Sequence, residues 1–271
     1  MVREIESPGV APVLHGAEAA LRAAGYALVI ATAEGRADLG ADYVRLLRQR
    51  RVDGFVLALA DADDPAMRTE LERVQVPCVL YDRQVEWLDA SCVLLDHAPT
   101  ARIAGAHLLG LGHRRIAFVA GTPTVRVTPE VEHGLRLAME GVPDAELLVE
   151  DGEFSEEYGR KRTLELLRSE AAPTALIAGN AQVAHGVLRA LRELRLRPGR
   201  DISLVCAEDP PTLRVLDPPV AAMSWDYRRV GRALAELLLQ RLAGGPAERV
   251  VVRATFVPGE SCAPPSAARV A

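Results

Sequence analysis

The chain has 271 residues, of which 49% are hydrophobic and 25% charged, and its formal net charge at pH 7 is −5. This is the composition of a globular protein, and the length suffices for one large domain or two of ordinary size. The acidic balance argues against a surface that grips nucleic acid by counterion release. No stretch approaches the roughly 18 consecutive apolar residues of a membrane span.

The amino terminus and the cysteines bear on the cellular compartment. Residues 1–7 lack the apolar core of a signal peptide, so export is not expected. The four cysteines are scattered, form no C-x-x-C pair, and mostly lie in or beside apolar runs, where cysteine is usually a small buried hydrophobe. They are Cys78, Cys92, Cys206 and Cys262. We therefore expect reduced, structural cysteines in a cytoplasmic protein.

Seven short apolar runs are predicted as strands. They are rich in Val, Ile and Leu and apolar on both faces, as strands covered by helices on both sides are. In chain order they lie at residues 27–31, 54–59, 77–81, 92–95, 116–120, 174–178 and 202–206.

Three amphipathic stretches between these runs have helical spacing. Apolar side chains recur over residues 14–24, which end at Gly25, and again over residues 184–194 and 230–238. Alternation of strands and helices over this length predicts an α/β fold with parallel sheets. Ligands bind such sheets at the carboxyl ends of the strands, where the strand order reverses.

Known catalytic and metal-binding motifs are absent from the sequence. It contains no G-x-S-x-G elbow, no P-loop and no H-E-x-x-H, and its six histidines are dispersed. Residues 110–112 lack the third glycine of a dinucleotide fingerprint and precede a strand instead of following one. We expect no enzyme, no metal and no cofactor. A catalytic site assembled from distant residues stays open as an alternative.

An ordered series of short motifs runs through nearly the whole chain, from about Pro8 to Pro265. The most specific is Gly-His-Arg-Arg-Ile-Ala at residues 112–117. The others lie at residues 25–26, 52–55, 76–77, 82–83, 94–96, 154–155 with Gly159, 173–175, 178–180 with Ala184 and Gly186, 198–203, 218–219 with Gly231, and 260–261. Each is weak alone, but in this order they resemble the effector-binding core of the LacI/GalR family of bacterial transcription regulators.

The resemblance implies two Rossmann-like lobes with parallel sheets, of the periplasmic binding protein type I. Three crossovers join the lobes, and a small effector is held between them. By alignment the crossovers fall near Gly121, Trp225 and Arg253. The expected lobes are residues 1–120 plus 226–252 at the amino-terminal side, and residues 121–225 plus 253–271 at the carboxyl-terminal side.

The resemblance also implies the partners. The effector would be sugar-like or nucleoside-like, and its binding would change the angle between the lobes of a homodimer. The helix beginning near Asp96 and residues 71–85 would form part of the dimer interface. DNA would be bound only through a helix-turn-helix headpiece missing from this chain, and no membrane partner is expected.

Two parts of the family pattern are absent at the front. Only seven residues precede Pro8, so no headpiece is present, and residues 1–6, three of them charged, stand where the first core strand belongs. That strand is central in the family's sheet, so without it two neighbouring strands expose unpaired backbone groups, each costing about 1–3 kcal/mol when buried. We expect a shortened version of a longer regulator. The alternative is a lineage that lost its headpiece and only binds ligand.

Three candidate ligand-binding residues match family positions. Phe154 matches the aromatic residue that stacks on the effector, although a core Phe is the alternative. Asn180 matches a strand-end Asn whose amide can donate to and accept from hydroxyls. Glu208 falls where the family usually has an Asp that binds sugar hydroxyls, so the charge is kept on a longer side chain.

Three further candidates are less specific. Trp225 falls at a crossover and would be either a second stacking wall or a buried hinge residue. Arg83 ends a first-lobe strand and would bind a hydroxyl or carboxylate, or merely pair with a surface acid. Arg126 is a guess at a substitute for an effector-contacting Arg that the family has where Val131 stands.

Two other positions also depart from the family's ligand-binding pattern. Ala181 replaces an Asp that usually follows Asn180, and Gly259 stands where the family's closing segment usually has Arg. We therefore expect an atypical ligand or weak binding. A stand-alone or transporter-associated binding protein of the same fold is the main rival, but the missing signal peptide and residues 112–117 favour the regulator.

Overall fold

The computed structural model describes residues 1–2, 7–59 and 61–265, which form two compact units. Unit 1 comprises Met1–Leu95 and Trp225–Arg253, and unit 2 comprises Asp96–Ser224 and Ala254–Ala271. Each unit is thus assembled from two separate stretches of the chain.

Unit 1 contains a four-stranded sheet covered by helices. Its described elements are α1 (Val10–Ala23), α2 (Ala37–Gln49), β1 (Phe55–Leu57), α3 (Pro65–Glu72), β2 (Cys78–Tyr81), β3 (Ser91–Asp96), α9 (Tyr227–Leu242) and β9 (Arg249–Arg253). The strand order is β1-β2-β3-β9, and β1, β2 and β3 run parallel, with Leu57 opposite Leu80.

Helix α1 illustrates how the spacing of apolar residues favours a helix, because its apolar face packs against α9. Val13, Ala17 and Leu21 are spaced by one turn and are buried on one face of α1. Helix α9 packs against that face and also against β1 and β2. The Asp226 carboxylate caps α9 by accepting a hydrogen bond from the Arg229 amide at 2.9 Å.

Unit 2 contains the larger sheet. Its described elements are α4 (His97–Gly110), β4 (Arg115–Val119), α5 (Val127–Met139), β5 (Glu146–Glu150), α6 (Glu156–Arg168), β6 (Ala175–Ala178), α7 (Ala181–Glu193), β7 (Ser203–Cys206), α8 (Pro211–Arg214), β8 (Ala221–Ser224) and β10 (Thr255–Val257). The strand order is β10-β8-β7-β6-β4-β5. All neighbours are parallel except the edge strand β10, which is antiparallel to β8.

The core of unit 2 lies on the central strands. Every residue of β6 and β7 is buried, as their unbroken apolar runs predict for strands covered on both faces. Helices α6 and α7 pack against each other, and α4 packs against α5. The parallel α/β fold expected from the sequence is therefore confirmed.

Six of the seven predicted strands are present, but the first prediction is wrong. Residues 27–31 are not a strand, and two of the side chains expected to be buried are exposed, Val29 by 59% and Ile30 by 46%. The physical reason is that no long strand of the described chain lies beside them. Met1 and Val2 reach this segment, but only as an isolated parallel bridge between Val2 and Thr32. Residues 3–6, which were expected to occupy the first strand's place, lie outside the described residues.

The expected division into lobes needs correction at its first boundary. The chain leaves unit 1 after Leu95, whereas the sequence comparison placed this crossover near Gly121. The reason is that β4 is an inner strand of the second sheet, paired with β5 on one side and β6 on the other. Helix α4 also belongs to unit 2, because α4 packs on α5. The other two boundaries lie at Trp225 and Arg253.

Four strands were not predicted. They are β5, β8, β9 and β10, and most of them lie at or next to a sheet edge. Both β5 and β9 begin and end with charged residues, and β9 has a largely exposed pattern of side chains. Such short edge strands lack the long apolar runs that identify buried strands.

Candidate functional site

The strongest candidate site in unit 2 is the carboxyl edge of the six-stranded sheet. Strands β4, β6 and β7 end in register, with Val119 opposite Ala178 and Ala178 opposite Cys206. The loops that follow these ends carry Asn180 and Glu208, together with Gly121. This is the edge where parallel α/β sheets bind ligands.

Asn180 and Glu208 meet at the amino terminus of α7. The Oδ1 of Asn180 caps the helix by accepting a hydrogen bond from the Val183 amide at 2.9 Å. The Oε2 of Glu208 accepts from the Ala181 amide at 3.0 Å. A helix amino terminus carries partial positive charge, so it holds the Glu208 carboxylate in place. An amide and a carboxylate are both groups that can hydrogen-bond to the hydroxyls of a ligand.

Phe154 lies on the same edge, against Gly121. Its ring sits where a side chain at position 121 would be, because a Cβ there would be 2.1 Å from Cε1 of Phe154. Only glycine fits at position 121 for this reason. Phe154 is half-buried and packs on the core of unit 2, so part of the residue is exposed. It can therefore serve as core residue and stacking surface together.

The loop that carries Phe154 is anchored at both ends. The Ser155 hydroxyl caps α6 by accepting from the Tyr158 amide at 3.2 Å. The Tyr158 hydroxyl donates to the Glu150 carbonyl at the end of β5, at 2.5 Å. Since α6 begins directly after Phe154, these bonds hold the ring position relative to the sheet.

Arg126 lies beside an acidic residue of the helix that it precedes. It stands at the start of α5, half-buried, and its guanidinium is 3.5 Å from the Glu130 carboxylate. Val131, which stands where the family has an effector-contacting Arg, is completely buried in α5 and serves as a core residue. The structure does not bring Arg126 to the Val131 position, so its predicted role stays a prediction.

The remaining two candidates, Arg83 and Trp225, belong to unit 1. Arg83 is half-buried and follows β2 and Asp82, whose carboxylate accepts from the Leu95 amide at 2.9 Å. Trp225 is only 6% exposed, just before α9, and its ring centroid is 6.2 Å from that of Tyr227. The burial agrees with the hinge alternative for Trp225, while a stacking role stays a prediction.

Two features of the site were not found from the sequence. The Ala181 amide, which holds Glu208, is a backbone donor and leaves no trace in residue types. Gly121 is the other feature, since the resemblance predicts a crossover there, whereas in the structure this glycine makes room for Phe154. A glycine directly after a fully apolar strand was the available signal.

Burial disfavours ionisation of three of the four cysteines. All four are free thiols. Burial raises the pKa of Cys78 to about 12 and that of Cys262 to about 11. Burial, followed by the nearby Glu208 carboxylate, raises the pKa of Cys206 well above its ordinary value. These thiols stay protonated, as expected of core residues.

Among the described residues, no group of three or more His, Cys, Asp or Glu side chains is arranged to hold a metal ion. Likewise, none of the helices in the described parts of the chain is both long and apolar enough to span a bilayer.

The chain folds into two α/β units, each formed from two chain segments. The parallel sheet of unit 2 has a carboxyl edge of the type that binds ligands. This architecture is that of small-molecule binding proteins of the periplasmic binding protein type I class. The chain belongs to the periplasmic binding protein-like domain family, to which residues 106–262, more than half of its length, are matched.

Two relatives with similar sequences are bacterial repressors. The chain is 26% identical over 254 residues to the HTH-type transcriptional repressor PurR of Aliivibrio salmonicida, covering 92% of this chain and 75% of the repressor. It is 28% identical over 236 residues to the lactose operon repressor of Escherichia coli, covering 83% of this chain and 64% of that protein.

Two solved structures of bacterial regulators superpose on this chain. A LacI family transcriptional regulator from Enterococcus faecium, with bound ribose, superposes with a TM-score of 0.86 at 26% identity and covers 98% of both chains. The Cra regulator of Pseudomonas putida, in complex with fructose 1-phosphate, superposes with a TM-score of 0.84 at 26% identity, covering 94% of this chain and 96% of that one. The predicted effector-binding core of a LacI/GalR-type regulator is confirmed, and the transporter-associated alternative is not favoured.

Proposed function

We propose that this core senses a small sugar-like or nucleoside-like effector in the cytoplasm and transmits its binding to a DNA-binding headpiece on the same regulator. The observation that carries the ligand class is the carboxyl edge of the unit 2 sheet. There a partly exposed aromatic ring, Phe154, lies on the edge that also carries a carboxylate, Glu208, and an amide, Asn180.

The chemistry of this edge suits a ring with hydroxyl groups. An aromatic face stacks on the C–H face of a sugar or on a purine. A carboxylate accepts hydrogen bonds from two hydroxyls, and an amide both donates and accepts. The relatives' solved structures with ribose and fructose 1-phosphate support the same class.

A ligand screen tests the proposal directly. The purified chain is heated with D-ribose, fructose 1-phosphate, cellobiose, adenosine and guanosine in turn. We expect one class to raise the free energy of unfolding by about 2.7 kcal/mol at 100 times its dissociation constant. Chromatography after incubation checks that the ligand is recovered unchanged. No stabilisation across the panel would contradict the proposed ligand class.

Variants then test the site. We expect Phe154→Ala and Glu208→Ala to weaken binding of the identified ligand about tenfold or more, measured by calorimetry. Asn180→Ser keeps an oxygen that can cap α7 while removing the amide, so it separates ligand contact from helix stability. Phe256→Ala, a half-buried aromatic on the edge strand β10, is the matched control. Unchanged binding in both Phe154→Ala and Glu208→Ala would show that the effector binds elsewhere.

The proposed regulator acts as a homodimer. Helix α4 presents Ile103 with 54% of its surface exposed, although its other face is packed in unit 2. This supports α4, which begins where the sequence placed the dimer helix, as part of the interface between copies.

A further inference from the structure

Unit 2 contains a cavity near the amino edge of its sheet, here called the arginine cavity. Its volume is about 940 Å³, which is enough for a small organic ligand. One wall is the carboxyl-terminal part of α7 with residues 196–200, the loop that leads into β7, and the other is formed by residues 217–218 and Glu260. Arg192 lies about 18 Å along α7 from Asn180. The arginine cavity is therefore separate from the carboxyl edge of the sheet.

Four arginines line the arginine cavity, although the chain as a whole is acidic. Arg192 lies in the last turn of α7, where the helix dipole favours a cation. Arg195 and Arg197 lie beyond the helix, so the dipole does not account for them. In the described part of the chain none of these three side chains is ion-paired, whereas Arg200 pairs with Asp201 at 3.0 Å. An anion in the cavity would offset the repulsion between these cations.

The backbone that carries these arginines is held by hydrogen bonds. Arg195 has a φ of +58°, in the left-handed region where helices commonly end in glycine. The Leu196 amide donates to the Leu191 carbonyl at 2.8 Å, and the Arg197 amide donates to the Asp201 carboxylate at 2.8 Å. An arginine thus occupies a backbone position that is unfavourable for any residue except glycine, and the loop is preorganised for a ligand.

The opposite wall carries hydrogen-bond acceptors. Asp217 and Glu260 contribute carboxylates, and neither is ion-paired in the described residues. Glu260 lies beside the arginine-bearing loop, because a Cβ at Gly199 would be 2.0 Å from the Glu260 carbonyl oxygen. Leu188 and Pro218 add apolar surface to the two walls. A ligand that fits both walls therefore combines anionic groups, hydrogen-bond donors and an apolar ring.

We propose that the arginine cavity is a second ligand site, which binds a nucleoside diphosphate. The two phosphates pair with the guanidinium groups of Arg192, Arg195 and Arg197, because the planar guanidinium group matches phosphate oxygens. The carboxylates on the opposite wall accept hydrogen bonds from the ribose hydroxyls and the amino groups of the base. The flat face of the base lies on the aliphatic surface of the cavity. The inference does not depend on the proposed effector.

The test uses ADP as the probe, with calorimetry on the whole chain. We expect saturable binding that Arg195→Gly and Arg197→Ser each weaken about tenfold or more. Glycine is favoured at the φ of residue 195, so Arg195→Gly should keep or raise the Tm, and its loss of affinity is then not a loss of folding. The matched control is Arg189→Gln, on the same helix but paired with Glu156 at 2.6 Å and outside the cavity lining, and it should bind like the original chain.

Inorganic pyrophosphate separates the contributions of the two walls. It carries two phosphate groups without a nucleoside, so we expect it to bind about tenfold or more weakly than ADP. Glu260→Ala should weaken ADP, because an acceptor is lost, and strengthen pyrophosphate, because a repulsive charge is lost. Raising the salt concentration should weaken both probes through screening.

Amide chemical shifts in NMR locate the site on the molecule. ADP should shift the amide signals of Leu196 and Gly199 in the loop before β7. The signals of Gly121 and Ala181 at the carboxyl edge should stay in place. For the same reason, Phe154→Ala should leave the affinity for ADP unchanged.

Four outcomes would overturn the proposal. The first is no saturable binding of ADP up to about 1 mM. The second is equal affinity of Arg195→Gly and Arg189→Gln for ADP. The third is pyrophosphate binding as tightly as ADP, which would indicate an unspecific attraction of anions. The fourth is a set of ADP-induced shifts confined to Gly121 and Ala181, which would assign the nucleotide to the carboxyl edge.

Discussion

His113 shows how a single residue explains the most specific motif of the sequence. Its Nδ1 lies 2.8 Å from the Thr174 hydroxyl, and its Nε2 lies 2.8 Å from the Ser203 hydroxyl and 3.0 Å from the Ala263 carbonyl. The ring is buried and joins the starts of β6 and β7 to the carboxyl-terminal segment. The motif that carries the family resemblance is therefore structural at this residue.

This network predicts a pH dependence of stability. Burial lowers the pKa of His113 from 6.5, although the bond to Ala263 partly offsets the shift. Below about pH 6.5 the unfolded chain binds a proton that the native imidazole resists, so the contribution of His113 to stability falls as the pH falls. We expect urea unfolding between pH 7.5 and 5 to show a steeper loss of stability in the original chain than in His113→Gln.

The control for this prediction is His133→Gln, which removes an exposed histidine on α5. It should keep the slope of the original chain. Identical slopes in the original chain and in His113→Gln would mean that the imidazole titrates alike in the folded and unfolded states.

At the scale of elements, the helices α6 and α7 set the relative positions of Phe154 and Asn180 at the proposed ligand-binding edge. They approach so closely that a Cβ at Gly186 would lie 2.0 Å from the Glu156 carbonyl, and one at Gly159 would lie 2.5 Å from the Val183 carbonyl. Phe154 directly precedes the α6 cap, and Asn180 is the cap of α7. Any shift between the two helices would therefore move the ring relative to the amide.

We expect Gly186→Ala to destabilise the chain by about 1–3 kcal/mol, because backbone has to move to admit the methyl group. Ligand affinity should fall as well, since α7 carries Asn180. The measurements are urea unfolding and calorimetry with the identified ligand. Gly110→Ala is the control, because a Cβ at the end of α4 would meet nothing within 4 Å. Equal stability of the two variants would contradict close packing of α6 on α7.

Segment 27–31, which was wrongly predicted as a strand, shows at the same scale that local composition alone does not make a strand. Its composition is that of a buried strand, and local propensity alone gives no reason to doubt it. A strand forms only when a neighbour offers hydrogen bonds, and in the described chain that neighbour amounts to Met1 and Val2. The edge strands β5 and β9 were missed for the converse reason, since pairing makes them strands despite their charged ends.

At the scale of the whole molecule, self-association is the next property to measure. In sedimentation experiments we expect a homodimer in which Ile103→Glu raises the dissociation constant about tenfold or more, because a carboxylate would enter the interface. Val215→Glu, at a side chain that is 83% exposed in unit 2 outside α4, should leave the dimer unchanged. A monomeric original chain, or equal dissociation constants for the two variants, would contradict the assignment of α4 to the interface.

The division into units also belongs to this scale. The chain passes between them after Leu95, Ser224 and Arg253. Nothing in the local sequence around Leu95 marks a boundary, because β3 leads into α4 without a loop. The boundary is visible only in the pairing of β4 with β5 and β6, which lie later in the chain.

The sequence by itself determined the fold class, the central strands and the family, because apolar runs, helical spacing and ordered motifs are properties of residues taken in chain order. Through the family resemblance it also identified Asn180 as a strand-end residue and Glu208 as a candidate ligand-binding carboxylate. Only the tertiary structure decided that a backbone amide binds Glu208, that the ring of Phe154 fills the space beside Gly121, and that residues 27–30 form one wall of an apolar groove. These features depend on contacts between segments far apart in the chain, and hydrogen bonding and packing at such distances leave no pattern in either segment alone.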